Sequence, residues 1–236
     1  MVLVHGGGVN ALVSWALAAP QLESQGYCVF TPDYGVPAGT PWPLSLVGGR
    51  TKLEQAAAEI GVYVDRVLSA TRSSKVDIVG HSLGTVVPGY YAKFLGGADK
   101  IDHYISLAPA WHGVDGPADV AVALARKLGL GPLIDGVTDV VWPDATQLLA
   151  HSEFIRRLND GGAAMPHIKY TNITTRYDLF VVPHTNGFLD APNATNFVIQ
   201  DQCPLDLTEH VLMAYSASAL RLVSNALDPA NAKPPC

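Results

Sequence analysis

Two patterns of apolar residues alternate along the chain. Short runs of branched apolar residues at 1–4, 27–31, 75–80, 101–108, 167–175 and 196–200 have the length of buried strands. Between them apolar residues recur every three or four positions, which predicts helices at about 14–24, 51–70, 83–95 and 210–227. The helix over 51–70 is the best marked: Leu53, Ala57, Ile60, Val64, Val67 and Leu68 fall on one face, and Glu54, Glu59, Asp65 and Arg66 on the solvent face. Thr51-x-x-Glu54 at its start reads as a capping box. In the last helix Val211, Tyr215, Ala219, Leu220 and Val223 form the inner stripe. Strands alternating with helices make a parallel sheet covered on both faces, so the fold class is α/β with about six mainly parallel strands.

The rhythm breaks once, between Pro109 and the strand that opens at His167. This stretch is rich in alanine and glycine, carries helical patterns near 117–128 and 144–158, and is too long for a plain crossover loop. Two readings stay open. Residues 111–165 form a cap or lid inserted before a late strand, with Trp111, Leu130, Leu133, Ile134 and Trp142 facing a substrate, or they form a peripheral helical layer that only covers the sheet. Residues 228–236 are a tail, and no internal repeat or low-complexity segment occurs. A chain of 236 residues with 48% hydrophobic content suffices for one core, so a single domain over 1–236 is expected.

The charge changes the picture by exclusion. The formal net charge is −6, and the 15 lysines and arginines are scattered singly, which leaves no basic patch for nucleic acid. No apolar run reaches the roughly 18 residues that a membrane-spanning helix requires. Met1-Val2-Leu3-Val4 begins inside a strand, as expected of a mature or trimmed chain whose export signal has been removed. Of three cysteines, Cys203 precedes Pro204 in a loop and Cys236 ends a Pro-rich tail that needs a tether. A Cys203–Cys236 disulfide is the favoured pairing, with three unpaired thiols as the alternative. The disulfide implies an oxidising, extracellular compartment. Cys28 is then a buried small hydrophobe or the orphan of a partner upstream. The chain is expected to be a monomer.

Candidate chemistry centres on Gly80-His81-Ser82-Leu83-Gly84, which lies between a strand pattern and a helix pattern. A serine on such a turn has its hydroxyl lifted clear of the sheet, and glycines two residues before and after let strand and helix approach closely. The other reading is a serine in an ordinary glycine-flanked turn. A serine nucleophile needs a base, and the base an acid. Asp178 follows the strand that ends at Thr175 and is the candidate acid; Asp190, Asp201 and Asp206 are competitors that also read as turn residues. His210, after the last strand, is the candidate base, with a surface histidine as the other reading. His184 reads as a loop or pocket-rim residue, and His103, His112, His151 and His167 fall on segments that do not return to the turn. An oxyanion needs two backbone donors; Leu83 N–H supplies one and Gly7 N–H, in His5-Gly6-Gly7-Gly8, the other. There His5 and Gly6 are structural, the histidine hydrogen-bonding the loop. Two sequons, Asn172-Ile173-Thr174 and Asn193-Ala194-Thr195, read as chance.

Taken together, His-Gly after the first strand, Trp15, Gly-Tyr-Cys-Val-Phe at 26–30, Val-Asp-Ile-Val-Gly-His-Ser-Leu-Gly at 76–84 and Tyr-Asp at 177–178 resemble the small bacterial secreted (class 2) lipases of the α/β-hydrolase superfamily over nearly the whole chain. The resemblance implies an α/β-hydrolase fold and cleavage of acylglycerols or other esters by Ser82, Asp178 and His210, without metal or coenzyme. Because the segment 112–165 is longer than in compact lidless members, interfacial behaviour does not carry over from the resemblance, and transient contact with a lipid interface stays open; the missing front end leaves the first strand short. Acyl-thioesterase, acyltransferase or cutinase-like polyester hydrolase activity is the nearest alternative. A non-catalytic binding protein of the same fold is the remote one.

Overall fold

The computed structural model describes residues 1–115, 125, 127–132 and 145–236. Five strands, β1 (Val2–Val4), β2 (Val76–His81), β3 (Ile101–Leu107), β4 (Lys169–Thr174) and β5 (Ala194–Val198), form one parallel sheet in sequential order. The register pairs Val4 with Gly80, Gly80 with Ser106 and Ser106 with Asn172, so the carboxyl ends of neighbouring strands reach one edge together.

Alternate residues of each strand feed two cores. Val2, Val4, Ile78, Tyr104 and Tyr170 pack against the helices α3 (Leu53–Thr71), α4 (Leu83–Phe94) and α5 (Glu153–Asn159). Leu3, Val79, Ile105, Leu107 and Ile173 pack on the opposite face against α1 (Ala11–Trp15), α2 (Ala18–Ser24) and α7 (Ala217–Leu227). Burial on both faces is why these strands read as nearly unbroken apolar runs. The short α6 (Ile199–Gln202) continues directly from β5. Lys93 at the end of α4 donates from Nζ to the carbonyls of Leu158, Asp160 and Gly162 at 2.8, 2.5 and 2.8 Å, which ties α4 to the C-terminal end of α5.

Several expectations change. Among the described residues the sheet has five strands rather than about six. Residues 27–31 only bridge Phe30 to Val2, through Leu3 N to Phe30 O at 2.8 Å and Phe30 N to Met1 O at 3.1 Å, because Pro32 ends the run and has no N–H to extend it. The helix expected over 14–24 is two helices, the first started one turn earlier by Asn10, whose side chain accepts from Val13 N. No capping box forms at α3. The helix begins at Leu53, whose N–H is taken by Gln147 Oε1 at 2.8 Å, while Gln147 Nε2 donates to Glu54 at 2.9 Å; Thr51 Oγ1 is buried without a partner. The last helix starts at Ala217, because Ser216 caps it by accepting from Ala219 N. Residues 211–215 are instead a separate 3-10 turn with Val211 and Tyr215 exposed, so they leave the inner stripe.

Trp111 is fully buried; its indole Nε1 donates to Asn172 at 2.7 Å, so it packs in the core rather than facing a cleft. Leu133, Ile134 and Trp142 lie outside the described residues. Cys203 and Cys236 form a disulfide, and Cys28 is a free, exposed thiol rather than a buried one. Both sequon asparagines are engaged: Asn172 is buried in β4, and Asn193 donates to the carbonyls of Met165 and Ile168.

Candidate active site

Loops following β1, β2, β4 and β5 meet at the carboxyl edge of the sheet, where open parallel sheets hold their ligands. Between β2 and α4 the chain reverses at Ser82 with φ 53° and ψ −122°, a backbone conformation costly for a residue with a side chain. Tight packing holds it there. A methyl group at Gly80 would overlap the Gly84 carbonyl, and one at Gly84 would overlap the Val4 carbonyl, so both flanking positions exclude any side chain. Ser82 N donates to Leu107 O at 3.0 Å, and the Ser82 carbonyl accepts from Thr85 N at 2.9 Å and Thr85 Oγ1 at 2.6 Å.

Ser82, His210 and Asp178 stand in line. His210 Nε2 is 2.8 Å from Ser82 Oγ, and its Nδ1 is 2.8 Å from Asp178 Oδ2. The other carboxylate oxygen accepts from Phe180 N at 2.9 Å and Val181 N at 2.7 Å. Asp178 and His210 are buried, whereas Ser82 is half-buried. A carboxylate only accepts, so His210 Nδ1 carries the hydrogen and Nε2 is left to accept from the serine hydroxyl. The Phe180 ring lies against His210 with centroids 4.9 Å apart.

Of the competing acids, Asp201 pairs with Arg176 at 2.5 Å, Asp206 accepts from Thr208 N at 2.8 Å, and Asp190 is exposed; none reaches His210. His184 sits in a short turn with its ring edge-on to Phe188. His103 is near the opposite end of the strands, with Nδ1 2.9 Å from Asp77 and 3.4 Å from Asp102. These three are the one cluster of metal-ligating side chains among the described residues, and Lys169 at 3.4 Å already neutralises Asp102.

Leu83 N–H is the first amide of α4 and has no helical acceptor by construction. The β1 loop lies against the serine: a methyl group at Gly6 would sit 3.4 Å from Ser82 Cβ. His5 stiffens that loop, with Nδ1 2.7 Å from Gly6 O and its ring stacked on Tyr34, whose hydroxyl donates to the His5 carbonyl. Burial lowers the His5 pKa below the usual histidine value.

Three contributors were missed from sequence. Gly49, at φ 65°, packs against the loop after β1 and the start of α4; a methyl group there would be 2.8 Å from Gly7 Cα and 3.0 Å from Leu83 Cδ2. The Gly48-Gly49 pair was the available signal. Gln200, buried, accepts from Arg176 N at 2.9 Å and donates to Thr175 Oγ1 at 2.9 Å and Asp206 O at 3.0 Å, while Thr175 Oγ1 donates to Thr208 O at 2.6 Å. The loops bearing Asp178 and His210 are thereby stapled together. The third is His81, whose Nε2 is 2.9 Å from the His210 carbonyl.

Several large apolar side chains are exposed on the segments that follow β1, precede α3, or carry Asp178 and His210. Leu12, Trp42, Leu179, Leu205 and Leu207 are 71–94% exposed. Those segments touch: Asn10 Nδ2 donates to Leu46 O at 2.9 Å, Gly8 N to Gly48 O at 3.0 Å, and Tyr215 OH to Val13 O.

The family model for the alpha/beta hydrolase fold matches residues 1–131. Among solved structures, lipase B of Aspergillus fumigatus is similar over 100% of this chain and 53% of its own, at 17% identity and TM-score 0.75; this chain spans about half its length. The Paleococcus ferrophilus monoacylglycerol lipase is similar over 89% of this chain and 84% of its own, at 20% identity and TM-score 0.58. A thermophilic esterase from Thermogutta terrifontis is similar over 97% and 89%, at 14% identity and TM-score 0.60. At these identities the likeness is one of fold.

Proposed function

This chain belongs to the alpha/beta hydrolase fold family, and from that premise we propose that it is a serine carboxylic ester hydrolase with Ser82 as nucleophile, His210 as base and Asp178 as acid. The observation that carries the reading is the pair of 2.8 Å hydrogen bonds linking Asp178, His210 and Ser82, with Ser82 held on a strained turn. His210 Nε2 takes the hydroxyl proton as Ser82 Oγ attacks the ester carbonyl. The buried Asp178 carboxylate, held by two amides, stabilises the resulting imidazolium. Negative charge on the former carbonyl oxygen meets Leu83 N–H and Gly7 N–H. Collapse expels the alcohol, which takes the proton from His210 and leaves an acyl-serine; water, activated by the same histidine, then releases the acid.

The exposed apolar side chains around the site favour esters of low polarity presented at an interface, that is, a lipase. The Cys203–Cys236 disulfide supports work outside the cell. The test is hydrolysis of a soluble short-chain ester. Ser82→Ala is expected to lose at least about 1,000-fold in kcat with unchanged folding. Asp178→Asn is expected to lose a comparable factor, while Asp190→Asn and Asp206→Asn stay within about twofold. Wild-type turnover by Ser82→Ala would sink the assignment.

A further inference from the structure

We propose that His81 is a positioning residue for this reaction: its Nε2–H donates to the main-chain carbonyl of His210 and holds the base in register with Ser82. The inference rests on the reading of Ser82 and His210 given above. His81 is the last residue of β2, adjacent to the nucleophile, yet its ring reaches a residue 129 positions away, at 2.9 Å.

His210 cannot fix its own place with its side chain, because both ring nitrogens are engaged, one by Asp178 and the other by Ser82. Its main chain starts a 3-10 turn whose first two amides are held by Glu209 at 3.0 Å each, which leaves the His210 carbonyl to other donors. The turn's own bond to the His210 carbonyl, from Met213 N, is 3.3 Å long; the bond from His81 is the shorter of the two. The His81 ring is also boxed by the β1 loop, where a methyl group at Gly6 would be 3.3 Å from Nδ1. One imidazole thus borders the serine turn, the loop that offers Gly7 and the loop that carries the base.

The chemistry of the bond fixes the state of the ring. A carbonyl only accepts, so Nε2 carries hydrogen. Burial, and then the neighbouring His210, push the His81 pKa down to about 4, against a partial opposing pull from the hydrogen bond to His210 and from Asp178. The ring is therefore a neutral donor at neutral pH. A cationic ring here, with centroids 5.4 Å from His210, would oppose protonation of the base in every cycle.

The experiment compares His81→Leu, which fills similar space without a donor, with His81→Gln, whose amide N–H reaches a comparable position. Three quantities are measured: kcat and KM on a soluble ester, the second-order rate at which a fluorophosphonate probe modifies Ser82, and the melting temperature. His81→Leu is expected to lower kcat roughly 10- to 100-fold, with KM within about twofold, and to slow probe attack in parallel. His81→Gln is expected to recover most of that loss at a similar melting temperature. If His81→Leu does not fold, His81→Asn, whose amide is too short for the carbonyl, takes its place. The proposal is overturned if the donor-free variant reacts within about twofold of wild type, or if His81→Gln is equally slow at equal stability. Failure of the probe to modify Ser82 in the wild type would instead overturn the serine hydrolase reading beneath it.

Discussion

At the scale of single residues, the site depends on groups kept in one protonation state by burial. His81 is the clearest case, and its depressed pKa has a thermodynamic consequence. The folded protein holds this ring neutral down to about pH 4, with His210, His5 and Asp178 the titratable groups around it, whereas the unfolded chain takes up the proton near the ordinary 6.5. Between those values the unfolded state binds more protons, so stability is fully present above about pH 6.5 and falls as the pH drops toward 4. His5, lowered by burial, acts in the same direction. The full shift at His81 corresponds to at most about 3 kcal/mol. Urea midpoints of wild type and His81→Gln at about pH 7.5 and pH 4.5 check this: the wild type is expected to lose more on acidification, and equal losses would refute it.

At the scale of elements, local signals placed the helices and distant ones trimmed them. Thr51 and Glu54 have the spacing of a capping box, but Gln147 reaches across from another segment, accepts from the Leu53 amide and donates to the Glu54 carboxylate. Gln147→Ala is therefore expected to cost about 1 kcal/mol through the loss of the Leu53 cap. Thr51→Val, which removes a buried hydroxyl that bonds nothing, should be neutral or stabilising. Chemical denaturation of the two variants settles the order, and a larger loss at Thr51 would restore the local capping box. The same distinction explains what the sequence made legible. Ser82, Asp178 and His210 were readable because strand ends and glycines announce a loop at a sheet edge, and chain order then limits the partners. Gly49, Gln200 and the His81 bond to His210 were not, since each acts on residues remote in sequence that only the folded sheet brings near. The bridge at Phe30 is intermediate: its apolar run was visible, but whether it pairs over two residues or five depends on where Pro32 turns the chain away.

At the scale of the whole molecule, two of the segments with exposed apolar side chains carry no charge. Helix α1 and the stretch from Trp42 to Leu46 contain no charged residue, and Glu209 beside His210 accepts from the amides of Val211 and Leu212. Exposed apolar side chains on such segments suit a neutral lipid surface. Leu12 and Leu205, 80% and 94% exposed, can be changed to serine at little cost to folding. On transfer into an apolar phase each leucine contributes about 1 to 2 kcal/mol. Leu12→Ser together with Leu205→Ser is therefore expected to weaken adsorption to emulsified long-chain triacylglycerol at least about tenfold. Hydrolysis of a soluble acetate or butyrate ester should stay within about twofold. If both substrates lose equally, the rim serves the site itself; if neither loses, the enzyme works on dissolved esters, and the apolar edge has no part in finding them.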